Sequence, residues 1–474
     1  PLLLGRFDLV IGNPSWINWD SLLKGYRDVV REIYQKYGLI KRAPKVGAIK
    51  IDISILSTYV AVDRYLKNFG ILAFVITQTV FVSRSAEGFR QFKLSGNMPI
   101  RVLKVHDMVE LRPFEGAQNR TAVVLMRKGE ETNYPVPYTI WRKKSKILNS
   151  EETLDTVKRK ISFDSLLAAP LSDDPMSPWA VGSQSLLRSL KRATKGEQIY
   201  HSREGVNTAG GNSMYWVHVS RKLPSGNLVI TNLSDIGRRK APKAEDIEVE
   251  PELIYPLVRG RDLKRWAVNF ADIYIITPHT KTTGMHALPE DELKSMFPKT
   301  HEFFTDSRVE PFIKGRRALI MRWGGTTRHW YSLFEIGPYT FSSYKVLYKG
   351  EVATDLVATV ASTISSEFLK DKMVIPDQTV HFIPLENPDE AYYVCALLNS
   401  SYIRTLYKSL RYKHPSTFLL EYVMLPKFDK KSELHREIAM ISKDLHVETI
   451  KTNAEAIAHL EAKLDLLAPN LFNF

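Results

Sequence analysis

Phe7-Asp-Leu-Val-Ile-Gly-Asn-Pro-Ser-Trp16 is the stretch on which the reading of this chain turns. Leu9, Val10 and Ile11 form an apolar run that predicts a buried strand, and Gly12 with the Asn13-Pro14 pair ends it. A strand ending in this way delivers a polar loop to the carboxyl edge of a sheet, where open α/β folds bind their ligands. The loop carries an amide, a proline-stiffened turn and an indole ring, which together suit a planar partner with hydrogen-bonding edges.

Outward from this stretch, residues 1–130 alternate between strand and helix. Ile55, Tyr59, Val62 and Leu66 recur at helical spacing within Ser54–Asn68. Gly70–Thr77 reads as a buried strand, Glu87–Leu94 as a helix, and Ile100–Asp107 and Thr121–Met126 as two further strands. Apolar strands separated by helices predict an α/β fold with a largely parallel sheet, and the closely spaced last strands predict an antiparallel hairpin at its edge. Residues 131–180 become charged and then rich in Pro, Ser and Asp, the texture of a linker. Residues 181–430 mix short strands, turns and short helices in an α+β pattern. Residues 431–474 read as a helical segment, with no Gly or Pro between Ser432 and Leu467.

The 474 residues allow for about two to four domains. Lys and Arg number 66 against 52 Asp and Glu, a net charge of +14 that favours a polyanionic partner. A single cysteine, Cys395, excludes disulfides within the chain and cysteine zinc sites, and suits a reducing cytoplasm. The most apolar run, Gly70–Val82, is broken by Thr77, Gln78 and Thr79 and is too short to span a bilayer. No charged leader precedes an apolar segment, and the chain opens on Pro1, so it reads as a fragment or a processed piece. Phosphate-cradling Gly-Lys-Ser/Thr loops and histidine pairs at metal-ligand spacing are absent, and no metal site is expected.

The opening stretch resembles the Asn-Pro-Pro-Tyr/Phe/Trp motif of the amino-methyltransferases that modify adenine in DNA, with Ser15 where a second proline is usual. Three later segments continue the resemblance in order: Lys50-Ile-Asp-Ile-Ser54, Gly70-Ile-Leu-Ala-Phe-Val-Ile-Thr-Gln-Thr-Val-Phe81, and Leu111-Arg-Pro-Phe-Glu-Gly-Ala-Gln-Asn-Arg-Thr-Ala-Val-Val-Leu125. The resemblance implies methyl transfer from S-adenosylmethionine to N6 of an adenine flipped out of double-stranded DNA. Asn13 and Pro14 would hold the two N–H bonds of the amine through the side-chain oxygen and the backbone carbonyl. Trp16 and Phe114 would stack on the two faces of the base. Asp52 either lies beside the donor pocket or is an acid favoured by a helix N-terminus. The Phe/Pro-x-Gly-x-Gly donor loop does not occur, so the resemblance places that half of the pocket in upstream sequence or in a partner chain.

The second half supplies cations interleaved with rings. Arg188, Lys191 and Arg192 precede Gly205-Val-Asn-Thr-Ala-Gly-Gly-Asn212. Tyr255-Pro-Leu-Val-Arg-Gly-Arg-Asp-Leu-Lys-Arg265 contributes Arg259, Arg261, Lys264 and Arg265; a basic, tryptophan-bearing stretch runs from Arg322 to Trp330; and Arg404, Lys408 and Arg411 alternate with Tyr402, Tyr407 and Tyr412. Lysine and arginine neutralise phosphates, while Arg, Asn and Gln read base edges. These segments resemble the target-recognition region of type IIG-like methyltransferases, with Ala209 where glycine is common. The expected function is site-specific adenine N6-methylation in a restriction–modification or phage-defence system, incomplete in this chain and relying on a missing amino-terminal half or a nuclease or methylase partner. Two other readings stay open: a DNA-recognition module without catalysis, and a methyltransferase acting on RNA or on protein glutamine.

Overall fold

The computed structural model describes residues 5, 7–40, 51–114, 116, 119–144, 151–316, 329–350, 355–411 and 419–472. The chain divides into two compact units, Pro1–Lys195 with Lys408–Tyr412, and Gly196–Tyr407 with Lys413–Phe474.

The first unit is α/β, as the sequence predicts. In chain order it contains β1 (Phe7–Gly12), α1 (Lys24–Lys36), α2 (Ile53–Arg64), β2 (Leu66–Thr77), β3 (Ile100–Asp107), β4 (Thr121–Lys128), β5 (Val136–Lys143), α3 (Leu154–Lys160), β6 (Ile161–Pro170), β7 (Trp179–Gly182) and α4 (Gln184–Arg192). One seven-stranded sheet runs β1-β2-β4-β3-β5-β6-β7. The pairs β1–β2 and β3–β5 are parallel and the others antiparallel, so the sheet is mixed where a largely parallel one was expected. The β3–β4 pair is antiparallel but lies in the middle of the sheet, because β5 passes to the far side of β3.

Two further expectations are corrected. Residues 131–180 are no linker: β5, β6 and most of the turn into β7 lie there, and Val136, Tyr138 and Ile140 are buried on one face of β5 at strand periodicity. The Pro, Ser and Asp residues that gave a linker texture occupy the turn before β7. The strand of the opening stretch, β1, is not buried. Among the described residues it pairs with β2 alone, and Phe7, Leu9 and Ile11 are 39%, 52% and 73% exposed. Glu87–Leu94 forms no α-helix; a 3-10 segment, Arg84–Gln91, lies in its place. The helix expected over 54–68 stops at Arg64, after which the chain turns directly into β2.

The second unit joins two sheets to a helical layer. A six-stranded sheet orders Ile247–Val249, Leu228–Asn232, Trp216–Lys222, Tyr274–Ile276, Ile254–Val258 and Ile375–Pro376; a four-stranded sheet orders Ala358–Ala361, Tyr344–Lys349, Val380–Leu385 and Arg203–Glu204. The helix Pro388–Asn399 begins with proline in its first turn, and Asn387 caps it by accepting from the Asp389 and Glu390 amides. It packs against Glu433–Ile450 and against the four-stranded sheet. Among the described residues no helix is long and apolar enough to cross a membrane.

His446 ties the helix Glu433–Ile450 to the strand Ala358–Ala361. Its Nδ1–H donates to the Ser442 carbonyl at 2.7 Å, and its Nε2 accepts from the Val360 amide at 3.0 Å. Burial pushes its pKa down from 6.5 to about 4. The unfolded chain therefore takes up this proton near pH 6.5 and the folded chain only near pH 4. The stability contributed is complete above about pH 6.5 and is lost as the pH falls toward 4. Melting temperature is expected to drop across that window, and His446→Gln to flatten the drop when melts are recorded from pH 4 to 7.

Candidate active site

Three strands end at one edge of the first sheet and bring the predicted groups together. The parallel register sets Gly12 opposite Phe74, and a Cβ at Gly12 would lie 2.9 Å from the Phe74 ring, so glycine lets the loop leave β1 closely over that side chain. Trp16 then turns back, and its indole N–H donates to the Val75 carbonyl at 3.1 Å, extending the contact with β2 beyond the end of β1. Downstream, the loop is braced by Trp19 N donating to Ile51 O at 2.8 Å and by Ile53 N donating to Ile17 O at 3.0 Å.

Asn13 is exposed and Pro14 half-buried. Among the described residues neither the Asn13 carboxamide nor the Pro14 carbonyl has a hydrogen-bonding partner. Two acceptors are thus presented one residue apart on a fixed turn. Phe114 arrives from the β3–β4 connection, and its ring meets Trp16 edge-to-face at 5.0 Å between centroids, with 71° between planes. A base stacked between two rings needs them about 7 Å apart and near-parallel. Trp16 and Phe114 are therefore neighbours, but their edge-to-face arrangement leaves no slot between them for a planar ring.

Asp52 lies next to this loop but is fully engaged. It caps α2: Oδ1 accepts from the Ser54 amide at 2.9 Å and from the Ser54 hydroxyl, and Oδ2 accepts from Thr77 Oγ1 at 2.5 Å, all in a buried setting. Its backbone bridges Asn18. Of the two readings of Asp52 left open by the sequence, the helix-start role is the one its contacts express.

At the end of β3 lies a charged cluster whose assembly the sequence did not show. Asp107, wholly buried at the end of β3, accepts from Tyr138 Oη at 2.7 Å and from Arg411 Nε at 2.8 Å. Burial, reinforced by the Asp107 charge, raises the Tyr138 pKa well above 10 and keeps the phenol a donor. Gln78, at the end of β2, is buried with its Oε1 unpaired. The polar break Thr77-Gln78-Thr79 in an apolar strand was the available signal for Gln78. Asp107 and Arg411 are 304 positions apart, and no local pattern could have joined them.

The predicted DNA-contacting cations separate into two groups. Arg188, Lys191 and Arg192 are exposed on α4 in the first unit, with Lys191 facing Asp173 at 3.5 Å. Arg261, Lys264 and Lys408 are also exposed. The others are committed within the protein. Arg259 is buried and forks onto Asp262 at 2.7 and 2.8 Å, while its own amide donates to Asp262 Oδ2 at 2.9 Å; Arg265 pairs with Glu461 at 3.2 Å, Arg404 with Asp355 at 3.0 Å, and Arg411 with Asp107 and Glu110. Arg259 is thus a turn-builder where a phosphate contact was expected. Tyr412 and the basic run from Arg322 to Arg328 lie outside the described residues.

The Gly205–Asn212 loop explains one departure of the sequence. Ala209 sits at φ 54°, the left-handed region that favours glycine, with its amide held by Asn207 Oδ1 at 2.7 Å. Ala209→Gly is expected to stabilise the chain by about 0.5–1 kcal/mol, the relief of left-handed strain less the added freedom of glycine when unfolded. Urea titration against the parent chain measures it.

In architecture the chain is similar to a restriction–modification enzyme. The type IIL restriction-modification enzyme MmeI, solved in complex with DNA, aligns with a TM-score of 0.55 and 10% identity over 98% of this chain and 54% of that one. In sequence the chain is 28% identical, over 166 residues, to the type II methyltransferase M.NspV of Nostoc sp., a match covering 35% of this chain and 31% of that protein. The chain thus spans about half of one and a third of the other in the matched regions. No family model matches the chain.

Proposed function

We propose that this chain is the base-gripping and DNA-recognition portion of a site-specific adenine N6-methyltransferase of a restriction–modification system. The observation that carries the reading is the unengaged Asn13-Pro14 acceptor pair beside Trp16, with Phe114 brought onto Trp16 from 98 positions further along the chain. Similarity to a type II methyltransferase supports methyl transfer, and the fold shared with a DNA-bound restriction–modification enzyme supports duplex DNA as substrate.

The chain's own groups then act as follows. The Asn13 side-chain oxygen and the Pro14 carbonyl accept the two N–H bonds of the exocyclic amine. Holding both N–H bonds turns the nitrogen lone pair out of ring conjugation and toward an incoming methyl group. Trp16 and Phe114 part to take the flipped adenine between them. S-adenosylmethionine supplies the electrophilic methyl carbon. No Gly-rich donor-binding loop occurs in the sequence, and we assign the donor site to further polypeptide, which could add a strand at the apolar edge of β1 that no described residue pairs with.

Full-length enzyme supplied with methyl-labelled donor and offered duplex DNA, RNA and protein tests the reading. Label recovered as N6-methyladenine from duplex DNA is the expected result, and label in RNA or protein would overturn it. Duplex affinity should fall steeply as salt rises. The engaged Asp52 favours one second reading, a recognition module that binds DNA without donor. Methyl transfer to duplex DNA by the full-length enzyme that is lost in Asn13→Ala would remove that reading.

A further inference from the structure

The closed Trp16–Phe114 pair raises the question of what fixes the Phe114 loop. That loop leaves β3 at Asp107 and returns to β4 at Thr121. Its stem is a short turn in which the Val109 amide donates to Asp107 Oδ1 at 2.9 Å, the Met108 amide to Thr121 O at 3.0 Å and the Arg112 amide to Met108 O at 3.0 Å. Two acids begin the stem, Asp107 and Glu110, and one guanidinium grips both: Arg411 Nε donates to Asp107 Oδ2 at 2.8 Å and Nη2 to Glu110 Oε1 at 3.2 Å. On its other oxygen Glu110 holds Arg142, which also binds Asp164 on β6. Arg411 itself sits at φ 49°, a conformation costly for arginine, two residues beyond the helix Ser401–Ser409. Its side chain is 16% exposed and that of Asp107 is 0% exposed, so the pair is shielded from salt and water in a way that a surface phosphate contact is not.

We infer that Arg411 is a positioning residue of the proposed base site: by clamping Asp107 and Glu110 together it sets the stem of the loop that carries Phe114, and with it the gap that Phe114 leaves over Trp16. This rests on the base-site reading above. It assigns to Arg411 a role different from the phosphate contact that its place in a basic, tyrosine-rich run implies. A guanidinium suits the task because its planar fork spans two carboxylates at fixed spacing, which the point charge of a lysine does not.

The test compares the parent chain with Arg411→Ala, Arg411→Lys and Glu110→Gln in two arms. The first is hydrogen exchange. The clamp predicts that the Met108, Val109 and Arg112 amides exchange about tenfold faster in Arg411→Ala, with the centres of β3 and β4 unchanged and with partial restoration in Arg411→Lys. The second uses duplex DNA with 2-aminopurine opposite an abasic site, an extrahelical base whose fluorescence falls when it stacks on aromatic rings. At saturating duplex, Arg411→Ala is expected to lose about half of the quenching or more, while affinity changes less than about twofold and its salt slope stays the same. A salt slope reduced by about one, with exchange and quenching as in the parent, would make Arg411 a phosphate contact and overturn the inference. If Arg411→Ala does not fold, Glu110→Gln decides through the same amides, which must exchange faster for the clamp to stand. If the parent chain quenches no extrahelical base, the base-site reading fails, and the exchange arm still accepts or rejects the clamp.

Discussion

Asn13→Ala is expected to lower methyl transfer by the full-length enzyme about 10²–10³-fold in kcat, the usual consequence of removing one pre-organised group that acts on developing charge. The structure isolates this effect from others. Asn13 is exposed, holds no hydrogen bond among the described residues and lies past the last ladder pair of β1, so its truncation disturbs neither fold nor loop. Trp16 keeps its bond to Val75 and its contact with Phe114, so duplex affinity should change little. The loss therefore falls on kcat rather than KM, which marks an interaction made in the transition state alone. Asn13→Asp keeps an acceptor oxygen in place, exchanging the amide NH2 for a second oxygen, and is expected to fall between the parent and alanine. Single-turnover rates with labelled donor and saturating duplex measure both. A rate within about threefold of the parent for alanine would remove Asn13 from the chemistry.

What the sequence made legible is the part governed by local rules. The strand of the opening stretch, the polar loop after it and the strands at Gly70–Thr77, Ile100–Asp107 and Thr121–Met126 follow from apolar runs bounded by turn residues, and all four strands are present. The Trp16–Phe114 neighbourhood was reached through the order of four motifs rather than through any one of them. A continuous apolar run reports that a strand is suited to cover on both faces, not that it is covered, and among the described residues β1 has β2 alone beside it. The fate of the cations depended on partners distant in sequence in three of four cases: Glu461 for Arg265, Asp355 for Arg404, Asp107 for Arg411. Arg259 is the exception. Its partner, Asp262, stands three positions later, and Arg-Gly-Arg-Asp could have been read as a turn in which the acid accepts from both the amide and the guanidinium of Arg259.

Arg316→Met is expected to cost about 3–5 kcal/mol, since buried acceptors left unsatisfied cost about 1–3 kcal/mol each, and to take sequence discrimination with it. Arg316 is 1% exposed, and among the described residues no carboxylate pairs with it. Its guanidinium is instead neutralised by carbonyl dipoles: Nε donates to Ile313 O at 3.1 Å, Nη1 to Thr208 O at 3.0 Å, and Nη2 to Trp330 O at 2.6 Å and Ser332 O at 3.0 Å. Burial lowers its pKa, though an arginine in this setting stays protonated. Methionine fills much of the volume but donates nothing, so four backbone acceptors lose their partner together, and those that water cannot reach bear the full desolvation cost. Thr208 ties Arg316 to the Gly205–Asn212 loop, whose left-handed Ala209 and close approach of Gly205 to the Asp377 carbonyl leave little room for an alternative path. Loss of the Thr208 anchor should therefore loosen this loop before the second unit unfolds. Urea titration gives the stability term. Competition between cognate and random duplex gives the other, with the ratio falling faster than the affinity for random DNA if the loop reads bases. Arg316→Lys separates charge from geometry: one ammonium can reach at most three of the four carbonyls, so a stability between those of parent and methionine is expected, and equality with the parent would show that the fork is not what holds the loop.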